Sequence, residues 1–360
     1  MGGSGSKDGE PKPKHCYHSP LPIDNAPYNG PRQAYLLCKV QVKMSSNVTF
    51  GFTGGRPMVT ADIDSYYPML VHYCQQGYLL TTFYRVPFVA QMSGFASVVV
   101  PYEAIFCKPA DGSPPEGGIP YELKIEKSVM QIQAINYGVI TGQGTTVANT
   151  SDIIQKIAQY SSRGGRLVCV EMTGCYSSQG FSNAMRGISG DMGVDLFFNV
   201  PRMPNPPMYT YQAVSVPIVF RAHVGLATSV TVECDFMGHF AHYLNQGWKL
   251  VEIFLDQGTH THGGFSMTAQ LNSVWFFEKD SSRLNDPRPQ YEGTIITYQH
   301  IIKTAFGGVK VKSDWTPLIQ EMGEKGWELA CLLETPEQQR TGLMTAQVKI
   351  LLFFQRRIVG

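Results

Sequence analysis

A helix signature followed by an alternating strand recurs in this sequence, and its last copy is the clearest. Asp314 is a good helix cap, because its carboxylate accepts hydrogen bonds from backbone N–H groups at a helix start. Apolar residues then follow at helical spacing as far as Met322, and Gly326 is of the type that ends helices in a left-handed conformation. From Trp327 to Leu333 the period changes to two, which predicts a half-buried strand.

The same signature occurs three more times upstream. In each copy the glycine lies twelve positions after the cap, as Gly326 does after Asp314. The other pairs of cap and glycine are Ser65 with Gly77, Asp152 with Gly164, and Asp235 with Gly247. Trp248 follows Gly247 as Trp327 follows Gly326. Because self-similarity at a regular interval marks repeat architectures, we predict four tandem β-α-β-β repeats.

The repeats also predict how the chain is divided. One repeat covers a single sheet face with one short helix, so its neighbour must cover the remaining surface. We therefore expect an α+β fold with antiparallel sheets, in which the repeats pair into two domains. The Pro-rich stretch at 202–207 separates residues 32–203, the first two repeats, from residues 208–360, the last two. Residues 1–31 have no hydrophobic period and are predicted to form a disordered arm.

Composition excludes several classes of protein. Hydrophobic residues make up 43% and charged residues 16% of the 360 residues, which is typical of a folded globular chain. The net charge of +1 provides no field that attracts nucleic acid, so we expect no direct nucleic-acid binding. Apolar runs stay below the roughly 18 residues of a membrane span. The eight cysteines lack metal-type spacing, which indicates reduced and mostly buried thiols.

The sequence contains no familiar catalytic motif. Nucleophile elbows, phosphate-binding loops, zinc-protease helices and Cys-x-x-Cys pairs are all missing. His260 and His262, with Asp256 nearby, are a weak alternative as metal ligands, although His-x-His in a Gly-rich hairpin loop is more often ordinary polar loop chemistry. We therefore expect a non-enzymatic protein without a cofactor.

The N-terminus carries a possible lipid signal. Residues 1–6 fit M-G-x-x-x-[ST], the acceptor pattern for N-myristoylation of Gly2. The competing interpretation is that this Gly/Ser run resembles a cloning linker. Since a single myristoyl chain holds a protein only marginally, a second signal is needed, and Cys16 is a candidate for palmitoylation. An idle thiol in a disordered arm is the simpler interpretation of Cys16.

The fourth repeat resembles the C-terminal part of the raftlin family of membrane-raft linker proteins. The similarity lies in D-[YW]-x-P-L at 314–318, G-W-x-L-x-C-x-L-x-T-P at 326–336 and F-x-Q-R at 353–356. Weaker similarity extends over most of 34–357. In that family the N-terminal glycine is myristoylated and the cysteine directly after it is palmitoylated. Gly2 matches this pattern, whereas Gly3 stands where the family has cysteine.

The resemblance implies a lipid-anchored, raft-associated adaptor on the cytoplasmic face of the plasma membrane, with a cytosolic or endosomal pool. Such a protein would contact membrane lipids through its acyl anchor and organise receptor signalling or endocytic trafficking; its protein partners are unknown. A second hypothesis is a soluble structural or interaction protein whose repeats assemble with other chains. A third, metal binding at His260 and His262, is the weakest.

Overall fold

The computed structural model describes residues 14–17, 28–47, 58–86, 91–92, 97–138, 143–177, 190–223, 229–262, 266–305, 308–311, 314–342 and 345–359. These residues form an α+β fold of antiparallel strands and four α-helices, in agreement with the predicted class. The strands are β1 (Lys14–Tyr17), β2 (Gln33–Asn47), β3 (Met58–Ala61), β4 (Leu79–Arg85), β5 (Gln91–Met92), β6 (Ser97–Pro109), β7 (Tyr121–Gly138), β8 (Gln143–Asn149), β9 (Arg166–Ser177), β10 (Gly190–Pro201), β11 (Tyr209–His223), β12 (Ser229–Glu233), β13 (Lys249–His262), β14 (Ser266–Asp280), β15 (Tyr291–Ala305), β16 (Gly308–Val311), β17 (Glu328–Gly342) and β18 (Thr345–Arg357). The helices are α1 (Tyr67–Gln75), α2 (Ser151–Ser161), α3 (Phe236–Leu244) and α4 (Thr316–Glu324).

Four consecutive segments of the chain have the same order of main elements. Each has a long first strand, a short strand, a helix, an inner strand and a closing strand. The segments run from β2 to β6, β7 to β10, β11 to β14 and β15 to β18, and the inner strands are β4, β9, β13 and β17. Across the sheet of each segment, the short strand lies next to the first strand, the first strand next to the closing strand, and the closing strand next to the inner strand. Each of these neighbouring pairs is antiparallel. The predicted order therefore lacked one short strand before each helix.

Each inner strand has a bulge at the same place in its pairing with the closing strand. In the first segment Leu80 pairs with Phe106 and Thr82 with Ile105, so Thr81 is the extra residue. The corresponding extra residues of the other segments are Val168, Val251 and Ala330. A bulge bends its strand and increases the local twist, so all four inner strands bend at the same point.

The segments join one another in a fixed way. The short strands β3, β8 and β12 pair with the inner strand of the following segment, which is β9, β13 and β17 respectively. The inner strands lie side by side, β4 next to β9, β9 next to β13, β13 next to β17, and β17 next to β4. Each helix also contacts the first strand of the following segment, and α4 contacts β2. The fourth segment thus packs against the first, which closes the chain into a ring.

The hydrophobic core consists of clusters shared between consecutive segments. Each of the four clusters in the described part of the chain combines buried residues of two neighbouring segments. The cluster between the last and first segments places Tyr35 and Ile105 with Trp315 and Ile319. Burying such large side chains contributes roughly 1.5–3 kcal/mol each, so much of the stabilisation lies between segments.

Side chains also complete the backbone hydrogen bonding at these junctions. The Tyr35 hydroxyl accepts from the backbone N–H of Leu329 at 2.7 Å and donates to the Trp327 carbonyl at 3.4 Å. The Gln355 amide bonds both backbone groups of Leu250, at 3.0 and 2.7 Å. These buried side chains act as short substitutes for a neighbouring strand, because buried backbone groups need partners.

The observed helix ends match the predicted caps and terminating glycines only in part. Gly77, Gly164, Gly247 and Gly326 have positive φ angles of 82, 79, 78 and 83°. Asp235 caps α3 by accepting from the Gly238 N–H at 2.8 Å. The other predicted caps are displaced. Helix α4 begins after Trp315, although the Asp314 carboxylate accepts from the Thr316 N–H at 3.0 Å. Asp152 lies inside α2, and Ser65 ends a 3₁₀ turn that precedes α1.

Part of the predicted disordered arm has regular structure. Residues 14–17 form β1, which pairs with residues 294–297 of β15. The Tyr28 hydroxyl donates to the Arg357 carbonyl at 3.1 Å, and the Arg356 guanidinium lies 4.6 Å from the centre of the Tyr28 ring. Strand β1 forms because the backbone of β15 supplies its hydrogen-bond partners. The amino-acid sequence of the arm itself does not reveal this pairing. The division into domains 32–203 and 208–360 stays a prediction; β8 pairs with β13 across it.

We expect Tyr35→Phe to weaken closure of the ring. The substitution keeps the ring but leaves the buried Leu329 N–H without its partner, which costs about 1–3 kcal/mol in the free energy of unfolding. Chemical denaturation measures this change. Tyr78→Phe is the control, since the half-buried Tyr78 ring keeps its contact with the Lys108 ammonium. Equal stabilities for the two variants would contradict the role assigned to the Tyr35 hydroxyl.

Candidate functional site

The inner strands lie side by side around a common axis, and the charged first residues of three of them lie near one another at one end of it. The first residues of the four strands are Leu79, Arg166, Lys249 and Glu328. The Lys249 ammonium lies 2.7 Å from a Glu328 carboxylate oxygen, which links the third segment to the fourth. Three of the four strands therefore begin with a charged residue, and opposite charges face each other across a junction.

Arg166 forms the most enclosed ion pair at this end of the axis. Its guanidinium bonds both Glu278 oxygens, with Nε 3.3 Å from Oε2, and also bonds Glu116. It stacks 4.3 Å from the centre of the Tyr209 ring. The Tyr211 hydroxyl donates to Glu278 at 2.8 Å. Because Glu278 is only 3% exposed, its charge depends on Arg166 for compensation. We call these five residues the ion cluster.

Further along the axis, the inner strands line a partly open cavity of about 100 Å³. Its lining comes from all four strands and is mostly apolar, with polar contributions from Thr82, Tyr84, Glu171, Glu252 and Glu334. A cavity of this size accommodates a few water molecules but is far smaller than the roughly 300–1,000 Å³ typical of ligand pockets. We call it the axial cavity.

Three carboxyl groups of the axial cavity are electrostatically unusual. Burial raises the pKa of Glu252 to about 8, against the hydrogen bonds from the Ile253 and Val170 N–H groups. Burial likewise raises the pKa of Glu334 to about 7, with the Arg85 charge opposing it. Burial and then the Glu252 carboxylate raise the pKa of Glu171 well above its usual range. At neutral pH these groups are partly or wholly protonated.

Tyr84 completes the polar lining. Its hydroxyl is buried and has no hydrogen-bond partner within the described ranges. Burial, followed by the charges of Glu334, Glu171 and Glu252, raises the pKa of Tyr84 well above its usual range. The phenol therefore stays neutral and can donate a proton to a hydrogen bond but cannot act as a base.

The buried thiols and the buried imidazole of the described residues do not have the chemistry of activated nucleophiles or bases. Burial, followed by the Glu252 charge, raises the pKa of both the Cys169 and Cys331 thiols well above the usual range. A thiol reacts as its thiolate, so such a shift makes it inert. Burial also lowers the pKa of His300 to about 4, which keeps this imidazole neutral. Across the residues that the structure describes, no group of three or more His, Cys, Asp or Glu side chains is placed to bind a metal.

The structure locates the residues singled out in the sequence as follows. Gly2 lies outside the described residues. Cys16 is in β1, where its backbone is opposite Ile295, and its side chain is not among those described. His260 and His262 were expected in a hairpin loop but belong to β13, with their backbones opposite Gln270 and Thr268. The side chains of both histidines likewise lie outside the description.

Two tryptophans that mark the predicted repeats pack against cations. The Lys279 ammonium lies 5.8 Å from the centre of the Trp248 ring, and the Arg356 guanidinium lies 4.4 Å from that of Trp327. Each tryptophan follows a helix-ending glycine, so the pattern that suggested repeats corresponds to these helix–strand corners.

Sequence reasoning missed the axial carboxyls. Glu171, Glu252 and Glu334 each stand within the strand that follows a predicted helix. An alternating strand assigns such residues to the solvated face, which is the ordinary position for glutamate. A signal was present: a glutamate interrupts an apolar run in three of the four inner strands, in LVCVEM, LVEIFL and CLLETP.

We expect Arg166→Met to destabilise the protein by about 3–5 kcal/mol, because it leaves the buried Glu278 carboxylate without its cation. Thermal or chemical unfolding measures the loss. Arg202→Met is the matched control, since Arg202 is exposed and pairs with Glu122 at 3.1 Å, a contact that contributes less than about 1 kcal/mol. A loss for Arg166→Met no larger than the control's would contradict the importance of the ion cluster.

In the described part of the chain, none of the helices is both long and apolar enough to span a membrane.

Comparison with known proteins gives one family. The sequence model of the family described as Raftlin matches residues 171–359, just over half of the chain. The chain is 22% identical to Raftlin of Gallus gallus over 55% of this chain and 31% of that protein. It is 24% identical to Raftlin of Homo sapiens over 47% of this chain and 28% of that protein.

A second group of relatives matches over a longer stretch. The chain is 23% identical to Raftlin-2 of Pongo abelii over 72% of this chain and 47% of that protein. The chain thus spans less than half the length of these curated relatives. No solved structure matches it. The match of the family model over 171–359, supported by these relatives, shows that the chain belongs to the raftlin family.

Proposed function

We propose that this protein is a raftlin-like peripheral membrane adaptor on the cytoplasmic leaflet, anchored by an N-myristoyl group on Gly2. Membership of the raftlin family is the observation that carries the proposal. The acceptor pattern at residues 1–6 supports the anchor, because a free N-terminal glycine is the group that is acylated. Cys16 is the candidate for the second lipid that stable anchoring needs.

An adaptor role is consistent with the chemistry of the described residues. The names of the family and of the relatives denote no catalytic activity. The axial cavity is too small for an ordinary substrate. Elsewhere in the described residues, burial favours the neutral forms of the Cys169 and Cys331 thiols and of the His300 imidazole. We infer that the protein acts by binding, as a scaffold for raft-linked receptor signalling or endocytic trafficking, without a cofactor.

We further propose that the four segments are copies of one unit. The supporting observations are the shared element order, the same antiparallel sheet order and the bulge at Thr81, Val168, Val251 and Ala330. Four similar units around an axis offer several helix and strand surfaces for partners. This property suits an adaptor that gathers proteins at a membrane.

The anchor is tested in a eukaryotic cell with the full chain carrying a C-terminal tag. We expect intact-mass spectrometry to show loss of Met1 and one C14 acyl group, and flotation to place the protein with membranes. Gly2→Ala should move most of the protein to the soluble fraction, because it removes the acyl acceptor. Gly3→Ala is the matched control and should leave both readouts unchanged.

Two results would contradict the proposed anchor. An unacylated chain, or membrane partition that persists in Gly2→Ala, would overturn the proposed anchor. A soluble chain that assembles with other proteins would then favour the structural or interaction role considered from the sequence.

A further inference from the structure

We propose that Glu171, Glu252 and Glu334 form a pH-sensitive lock on the ring, in which neutral carboxyls let the inner strands pack around the axis and ionised carboxyls loosen them. The inference concerns the axial cavity and is independent of the membrane anchor. The first supporting observation is placement: the three glutamates come from β9, β13 and β17, and all line one partly open cavity of about 100 Å³.

The glutamates also connect neighbouring segments. Glu252 on β13 accepts from the Ile253 N–H of its own strand at 2.8 Å and from the Val170 N–H of β9 at 3.3 Å. It therefore bridges the second and third segments at the axis. Glu171 accepts from the backbone of Arg85 on β4, which links the second segment to the first. Charge on these side chains acts where the segments meet.

Few charges compensate the three carboxyls. Arg85 of β4 is the cation that acts on Glu171 and Glu334, and its own side chain is exposed. Asp195 of β10 adds to the negative potential at Glu171. Titratable neighbours in the described ranges also include the neutral Tyr84 and Tyr102 phenols and the Cys169 and Cys331 thiols. Ionisation of two or three carboxyls in this space therefore brings together more negative charge than the single Arg85 cation compensates.

The direction of the pH effect follows from linkage. In the unfolded or opened chain a glutamate ionises near its ordinary pKa of 4.5, whereas the folded pKa is about 8 for Glu252 and about 7 for Glu334. The closed state therefore holds more protons than the open state. The contribution of these two groups to the stability of the closed state is therefore greatest below pH 4.5 and is lost as the pH rises through 7 and 8.

Other titratable groups limit the pH range in which the axial glutamates dominate the change in stability. Burial lowers the pKa of His300 to about 4, so its contribution changes only as the pH falls below about 6.5. The buried thiols have raised pKa values, so their contribution changes only as the pH approaches the usual value of about 8.5 for a free thiol. Between pH 6.5 and 8.0 the axial glutamates are thus the groups with the largest expected effect.

Hydrogen exchange of the full chain at pH 6.5 and 8.0, corrected for the intrinsic exchange rate, tests the lock. We expect the opening equilibrium of β9, β13 and β17 to rise by more than about tenfold across this interval, since each retained proton contributes up to about tenfold per pH unit. The denaturation midpoint should fall over the same interval. Combined replacement of Glu171, Glu252 and Glu334 by Gln should abolish most of both changes, because Gln keeps the acceptor and cannot ionise.

The exposed Glu324→Gln is the matched control and should retain the full pH response. If the triple variant does not fold, Glu252→Gln and Glu334→Gln are measured singly, and each should reduce the pH response. Exchange of the wild-type inner strands that is the same at pH 6.5 and 8.0 would overturn the proposal. A folded triple variant with the wild-type pH response would also overturn it.

Discussion

The structure depends on burial between segments. Each of the four core clusters combines side chains of two consecutive segments, and each helix contacts the first strand of the segment that follows. Hydrophobic burial is proportional to the apolar area removed from water, so a segment gains most of this stabilisation only when its neighbour is in place. Contact of α4 with β2 extends the same arrangement from the last segment to the first.

This arrangement explains the character of the axis. Four inner strands that lie side by side must point some of their side chains at one another. At their first residues the chain places opposite charges, with Lys249 2.7 Å from Glu328 and Arg166 enclosed by Glu278 and Glu116. Further along, the axial cavity contains carboxyls whose burial favours their neutral form. Polar groups in a close-packed interior are costly, and such residues are therefore candidates for a role beyond stability.

Much of the local structure could be predicted from sequence because it depends on neighbours along the chain. The helix stripes, the glycines with positive φ and the strand that follows each helix have short-range patterns. The short strand before each helix was missed, since β16 has only four residues and gains its place by pairing with β15. Asp235 caps its helix as predicted, whereas Asp152 instead accepts from Ser128 on β7 at 2.5 Å, a tertiary contact that overrides the local preference.

The axial site could not be predicted because it depends on which segments meet. Period-two alternation tells the two faces of a strand apart, but it does not reveal that one face of β9 or β13 lies against another strand and not water. The placement of Glu171 and Glu252 in one cavity is therefore information that only the three-dimensional arrangement contains. The same reasoning applies to Tyr35 and Leu329, which are 294 residues apart in sequence yet share a hydrogen bond.

Closure of the ring is the central claim, and cleavage of the connection between the second and third segments tests it most directly. A protease site placed in the full chain at residues 203–208 divides it into an N-terminal and a C-terminal half. Closure gives the halves two junctions, β9 with β13 and β17 with β4, so they should remain bound through size-exclusion chromatography and unfold in one transition. Halves that separate after cleavage, each still folded, would contradict closure and support two independent domains.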